Sequence, residues 1–226
     1  MGKTVLKTKQ EIEDFVRGCT FYGTGGGGTP ESGLASLISE HEKGTEIHWI
    51  DYTDVPDDAL VITTYLMGSI APVTPEMRKE MAEYGLTESV YNEKDRMIQA
   101  VKELQEYTGK EIYAIVPIEI GAANSSAPIA VANALDGDYS GRAIPEIVQT
   151  TPRIFNKTLV PIASVDEFGN FAIIKAVTNE KLAERLGKLL STAAYGLVGN
   201  AGVLMTGREM KEIVIPGTLS RCVKAG

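Results

Sequence analysis

Apolar positions along this chain alternate between a helical and an extended period. Ile12, Phe15, Val16 and Cys19 fall on one face of a helix that Thr8 and Glu11 open with capping-box spacing and Gly18 closes. Thr29 and Pro30 suit the start of a second helix with Leu34, Leu37 and Ile38 inward. Residues 46–51 read as a strand, and residues 59–66 (ALVITTYL) as a buried strand rich in β-branched types. Thr74-Pro75 begins a helix with Met77 and Met81 inward. A longer helix over residues 93–107 carries Met97, Val101 and Leu104 on one face and ends at Gly109, and residues 112–118 form the next apolar run. Residues 159–165 and 171–177 read as a hairpin around Asp166-Glu167-Phe168-Gly169-Asn170. The period over residues 179–195 predicts a helix that buries Leu182, Leu186, Leu189 and Leu190. Residues 203–205 form a short strand, Thr206 and Glu209 suit another capping box, and residues 213–226 read as a strand, a Pro-Gly turn and two turns of helix.

Helices alternating with apolar strands place the chain in the α/β class. The expected architecture is a three-layer sandwich: a mostly parallel, mixed sheet with helices on both faces and one antiparallel pair at Asp166. No linker, repeat or low-complexity stretch interrupts the 226 residues, so residues 1–226 read as a single α/β domain.

A formal net charge of -8 argues against a nucleic-acid backbone or an anionic membrane as partner. Cys19 and Cys222 are the only cysteines and His41 and His48 the only histidines, so neither a zinc site nor a disulfide framework is suggested; the expected compartment is the reducing cytoplasm. The start, MGKTVLKTKQEIEDF, lacks the apolar core of a signal peptide, and no apolar run is long enough to span a bilayer.

The candidate chemistry gathers after the apolar run at residues 112–118. Glu119, Asn124, Ser125, Asp136, Asp138, Arg142 and Glu146 arrive in quick succession on a frame of Gly, Pro and Ala. A packed core needs none of these polar types, so they read either as a site at a strand end or as a polar loop with helix caps. Met67-Gly68 lies at the C-terminal end of the preceding strand, where open α/β sheets bind ligands. Gly25, Gly26, Gly27 and Gly28 precede a helix start. They either present bare N–H groups to an anion or oxyanion or serve a turn that needs positive φ. Gly23, Gly25 and Gly28 with Asp51 outline a dinucleotide fingerprint, but consecutive glycines meet that spacing by accident and the preceding element reads as a helix. Asp136 and Asp138 at i and i+2 share one face of an extended backbone and suit a general base, a hard-cation site or a capped turn. Arg142 and Glu146 suit an ion pair, or Arg142 a grip on a carboxylate.

Several of these stretches together resemble the N-terminal domain of the S-methyl thiohydantoin desulfurase family, whose members are associated with hydantoinase and oxoprolinase subunits. The matching residues are Gly23 to Gly28, Met67-Gly68, Pro117-Ile118-Glu119 with Gly121, Asn124-Ser125 and Pro128. They continue through Asp136-Gly137-Asp138, Gly141-Arg142-Ala143 with Pro145-Glu146, Asp166 with Gly169-Asn170, and Ile215 to Arg221. The chain departs from the family pattern in two places. Ala130-Val131-Ala132-Asn133-Ala134 runs almost straight into Leu135-Asp136, where the family has a further short strand. The chain also ends at Gly226, where the family continues into a β-rich C-terminal domain, so residues 213–226 are expected to expose apolar surface and favour self-association.

The resemblance implies a desulfurase or hydrolase acting on a thiohydantoin- or hydantoin-type cyclic amide. Asp136, Asp138 and Glu119 are then candidates for acid–base work. Asn124, Ser125, Arg142, Glu146, Asp166, Met67-Gly68 and the glycine turn are candidates for binding. It calls for no cofactor, and a divalent cation at Asp136 and Asp138 stays open. The expected partners are the small-molecule cyclic amide and a second domain or hydantoinase-type subunit. A non-catalytic partner subunit and a dinucleotide-binding enzyme are the alternatives.

Overall fold

The computed structural model describes residues 2–69 and 71–226. In chain order the elements are β1 (Lys3–Leu6), α1 (Lys9–Gly23), α2 (Pro30–Glu42), β2 (Ile47–Ile50), β3 (Leu60–Gly68), α3 (Pro75–Glu83), α4 (Glu93–Thr108), β4 (Ala114–Ile115), α5 (Ala122–Val131), β5 (Ala134–Leu135), β6 (Gly137–Asp138), α6 (Thr151–Ile154), β7 (Ile162–Val165), β8 (Phe171–Ile174), α7 (Glu180–Ala193), β9 (Leu197–Thr206), α8 (Gly207–Ile213), β10 (Ile215–Pro216) and α9 (Thr218–Ala225).

Eight strands form one mixed sheet in the order β1-β2-β5-β4-β3-β9-β7-β8. Its centre, β2-β5-β4-β3, is parallel, and antiparallel strands flank it on both sides. Alternation along each strand sends successive side chains to opposite faces. Ile47, Trp49, Ile62 and Ile115 face α1, α2, α4, α5 and α9, whereas Val61, Tyr65, Ala114 and Leu135 face α7 and α8. This is the three-layer α/β arrangement expected from the alternation of elements.

Both expected capping boxes form: Thr8 with Glu11 opens α1, and Thr206 with Glu209 opens α8. The apolar face of α1 is fully buried, with the Phe15 and Trp49 rings 5.1 Å apart. Gly18 does not close α1, which runs on to Gly23 with Thr24 as its left-handed cap; instead it lies against α9, where a Cβ would sit 1.9 Å from the Cys222 carbonyl oxygen. That close crossing buries Leu219 and Cys222, so the expected exposed apolar surface at the C-terminal end is covered by α1. The strand before Asp136 is rebuilt in two residues: Ala134 and Leu135 pair in parallel with Trp49 and Ile50, and Ala134 also pairs with Ile115.

Four expectations are corrected. Residues 112–118 contribute only Ala114–Ile115 to the ladder, although Ala114 to Glu119 are all buried. The strand expected over residues 203–205 is the ten-residue β9, with a bulge where Val203 takes φ 57° opposite Ile62. Met77 and Met81 are only half-buried, since α3 lies on the surface. Helix α7 is rolled away from its apolar period: Ala183, Glu184, Gly187 and Ser191 face the body and Leu190 packs half-buried against it as expected, while Leu182, Leu186 and Leu189 are 39%, 40% and 56% exposed. The buried stripe of small residues, Ala183, Gly187 and Ser191, lets the helix sit close to β3, with Gly187 against the Met67 sulfur.

Candidate active site

The site lies at the C-terminal ends of the adjacent parallel strands β3 and β4, where the chain leaves the sheet and its polar groups are free to meet a ligand. Three segments converge there: Met67-Gly68, the Ile118-Glu119 exit from β4, and the glycine loop between α1 and α2. In the loop, Gly25, Gly27 and Gly28 have φ of 89°, 76° and 84°. The loop also presses backbone on backbone. A Cβ at Gly27 would sit 2.5 Å from Gly121 Cα, and one at Gly28 2.3 Å from Ala123 Cβ. Side chains are therefore excluded twice over, by conformation and by space. The Gly27 carbonyl accepts the N–H groups of Ala123 and Asn124, both at 3.0 Å, and so caps the start of α5. Thr29 then caps α2 by accepting from Ser32 N at 3.2 Å.

Glu119 is the buried acid of this junction, 4% exposed. Its Oε1 accepts from Asn124 Nδ2 at 2.5 Å and its Oε2 from Ile144 N at 2.6 Å. Burial raises its pKa above the ordinary carboxylate range; the two hydrogen bonds work against that rise, and the Asp138 charge adds to it. Ser125 holds the segment from behind. Its hydroxyl donates to the Glu119 carbonyl at 3.2 Å and accepts from Gly121 N at 3.1 Å.

A cavity of about 280 Å³ opens here. Of the expected site residues, Gly27, Gly28, Met67, Gly68, Glu119, Asn124 and Glu146 line it. Sequence reasoning missed Ser32, Tyr65, Glu93, Glu184 and Lys188, which line it too. Glu184 is buried, accepts from Ile147 N at 2.8 Å and pairs with Lys188 at 2.9 Å. Tyr65 was readable, lying two positions before Met67 on the same strand face. Glu184 and Lys188 were hidden by the rolled helix, and their only sequence trace is the small-residue stripe Ala183, Gly187, Ser191. Four carboxylates and one ammonium give the lining an acidic balance, which favours a neutral ligand rich in N–H groups over an anion.

The other expected residues lie elsewhere. Gly25 sits on the outer turn with open space around it, and Gly26 packs on Ala143. The carboxylates of Asp136 and Asp138 go to separate partners. Asp136 accepts from Ser220 N at 3.0 Å and Ser220 Oγ at 2.5 Å, which caps α9 from outside. Asp138 is wholly buried, and its Oδ2 accepts from Ser140 N at 2.9 Å and Gly141 N at 2.6 Å. Its Oδ1 is buried without a partner, and burial raises its pKa despite those bonds. Among the described residues, no three His, Cys, Asp or Glu side chains come together as a metal cage. Arg142 is exposed and donates through Nε to its neighbour's carbonyl, Ala143 O, at 3.0 Å. Asp166 closes its hairpin, accepting from Phe168 N at 3.0 Å and from Asn170 N and Nδ2 at 2.8 Å. The dinucleotide outline has a helix, α1, where a strand is required, and Asp51 caps a turn by accepting from Thr53 N at 2.8 Å. Among the described residues, no helix is long and apolar enough to cross a membrane.

Residues 10–176 match the family described as S-Me-THD-like, N-terminal domain. A protein from Chromobacterium violaceum, solved by X-ray crystallography as a structural-genomics target, has the same fold with a TM-score of 0.76 at 19% identity. The alignment covers 100% of this chain and 60% of that one, so the chain spans about three fifths of its length. No curated protein matches the chain.

Proposed function

This chain belongs to the S-Me-THD-like family through its N-terminal domain, and from that premise we propose that it acts on a five-membered cyclic amide of the thiohydantoin or hydantoin type, as a desulfurase or hydrolase. The observation that carries this reading is Glu119: a buried carboxylate with a raised pKa, fixed by two donors at the wall of a cavity lined in part by the stretches that resemble the family.

In an S-methyl thiohydantoin the electrophilic carbon lies between two ring nitrogens and carries the sulfur. Water adds to that carbon and Glu119 takes its proton, a task suited to a carboxylate whose pKa is shifted towards neutrality. As water adds, the C=N electron pair moves onto the ring nitrogen; when the tetrahedral intermediate collapses to a ring carbonyl its hydroxyl proton passes to that nitrogen, and the expelled methanethiolate recovers the other water proton from Glu119 and leaves as methanethiol. Asn124 gives its N–H to Glu119, so its side-chain carbonyl oxygen remains as the acceptor for a ring N–H. Ring and water supply every atom of the products.

The test is methanethiol release from an S-methyl thiohydantoin, with binding of hydantoin followed by calorimetry. Turnover with saturable binding is expected. Absence of both from the folded protein, alone and with a hydantoinase-type subunit added, overturns the reading. A second reading, in which another domain or subunit completes the site, is favoured by α7: its exposed Leu182, Leu186 and Leu189 lie on the helix that carries Glu184 and Lys188 to the cavity. Turnover that appears only on adding that subunit would select it.

A further inference from the structure

Beside the first cavity lies a second one that the family motifs do not explain. Its volume is about 420 Å³, and it sits between α2, α4 and α5. The two share Ser32, Leu66, Glu93 and Ala123 in their walls. Between them the Ser32 hydroxyl donates to Glu93 Oε2 at 2.8 Å, a single hydrogen bond from α2 to α4.

The second cavity has an apolar floor of Leu66, Met97, Ala123 and Ala127. Small residues on α2, Ala35 and Ser39 among them, leave the space open. The charged groups at its rim already have partners. Lys43 and Lys94 both pair with Glu40, Asp95 Oδ2 accepts from Asn92 Nδ2 at 2.6 Å, and Glu93 holds Ser32. An incoming group therefore gains burial against Leu66 and Met97 rather than a free charge. The Ser36 hydroxyl, buried and without a hydrogen bond, adds one polar contact. With four wall residues in common, this space adjoins a ligand seated in the first cavity.

We propose that the second cavity is a subsite for a short aliphatic arm carried by the ring that occupies the first. This rests on the cyclic-amide reading and adds the substituent to it. The recognised class is a 5-alkyl hydantoin or thiohydantoin rather than the bare ring.

Calorimetry with hydantoin and its 5-methyl, 5-propyl and 5-pentyl derivatives tests this. Affinity is expected to tighten by up to about fourfold for each methylene that enters the apolar space. Ala35 is exposed on α2 and lines only the second cavity, so Ala35→Phe should fill it without disturbing the core. The variant should bind hydantoin as wild type does and lose the gain from the longer arms; Ser39→Phe is the substitute if Ala35→Phe folds poorly. The methyl signal of Met97 should shift with 5-pentylhydantoin and stay in place with hydantoin. Affinity independent of arm length, or a gain that survives in the filled variant, overturns the subsite. If hydantoin itself does not bind, the cyclic-amide reading falls instead. Butyramide then decides the subsite alone: a shifted Met97 methyl keeps it, and an unmoved one overturns it.

Discussion

Glu119 and Asp138 belong to one polar stretch, and both carry a pKa raised chiefly by burial, yet their surroundings differ in kind. Glu119 leaves β4 at the parallel centre of the large sheet and opens on a cavity. Asp138 sits in the two-stranded sheet of β6 and β10, closed in by Ser140 and Gly141, and lines no cavity found beside Glu119. A perturbed carboxylate is thus a candidate for chemistry only when a ligand can reach it; otherwise the same burial marks a turn held together from within.

The largest effect that sharpens this contrast is on turnover. Glu119→Gln keeps the shape and the acceptor for Ile144 N but removes the base. It should lower kcat by roughly 10²- to 10⁴-fold, and because the Gln amide then turns a donor towards Asn124 Nδ2, hydantoin affinity should fall by a smaller factor, about tenfold at most. In the wild type the rate should rise with pH through a midpoint above the ordinary glutamate value of 4.5, because the base works deprotonated and burial raises its pKa. A midpoint at or below that value, or a Gln variant as fast as wild type, would erase the distinction between the two carboxylates.

The next effect is on stability. Asp138→Ala strands the N–H groups of Ser140 and Gly141 and should lower the unfolding free energy by about 2–4 kcal/mol in urea titrations, while the folded fraction keeps its kcat. The pH dependence has a definite sign. A carboxylate whose folded pKa is raised holds its proton more tightly in the folded state. Its contribution to stability is therefore greatest below the unfolded value of 3.8, and it declines as pH rises from there through the raised folded pKa. Asp138→Asn should remove that decline; an unchanged pH profile would show that the burial of Asp138 has no energetic consequence.

The smallest effect is expected at Arg142, exposed and bonded to its neighbour's carbonyl. Arg142→Ala should change hydantoin affinity by less than about twofold, the ordinary outcome for a surface residue away from the ligand. A tenfold loss in calorimetry would bring the Asp138 end of the stretch back into the site.

Much of the architecture was legible because local rules and burial agreed. The capping boxes, the Phe15 face of α1, the β-branched run of β3 and the hairpin at Asp166 are each specified within a few residues. Glu119 and Asn124 were legible as polar groups directly after a buried run. β9 was not, because Asn200 interrupts its apolar pattern. In the fold, Asn200 accepts from Ser164 Oγ at 2.6 Å and donates to Val198 O at 3.1 Å, so a polar group that looks misplaced in one strand is satisfied by the next.

By itself, then, the sequence determined the α/β class, most of the helices with their caps, and the polar cluster that follows β4. These depend on period and on chemistry within a turn or two of chain. Only the tertiary structure decided which members of that cluster meet. Asp136 was claimed by Ser220, eighty-four positions away, and Glu119 by the backbone of Ile144. It also decided which face of α7 is buried. The leucines have the stronger claim by hydrophobicity, but the face that packs on β3 is the small-residue stripe Ala183, Gly187 and Ser191, with Leu190 at its edge, because small side chains let the helix backbone come close to the sheet.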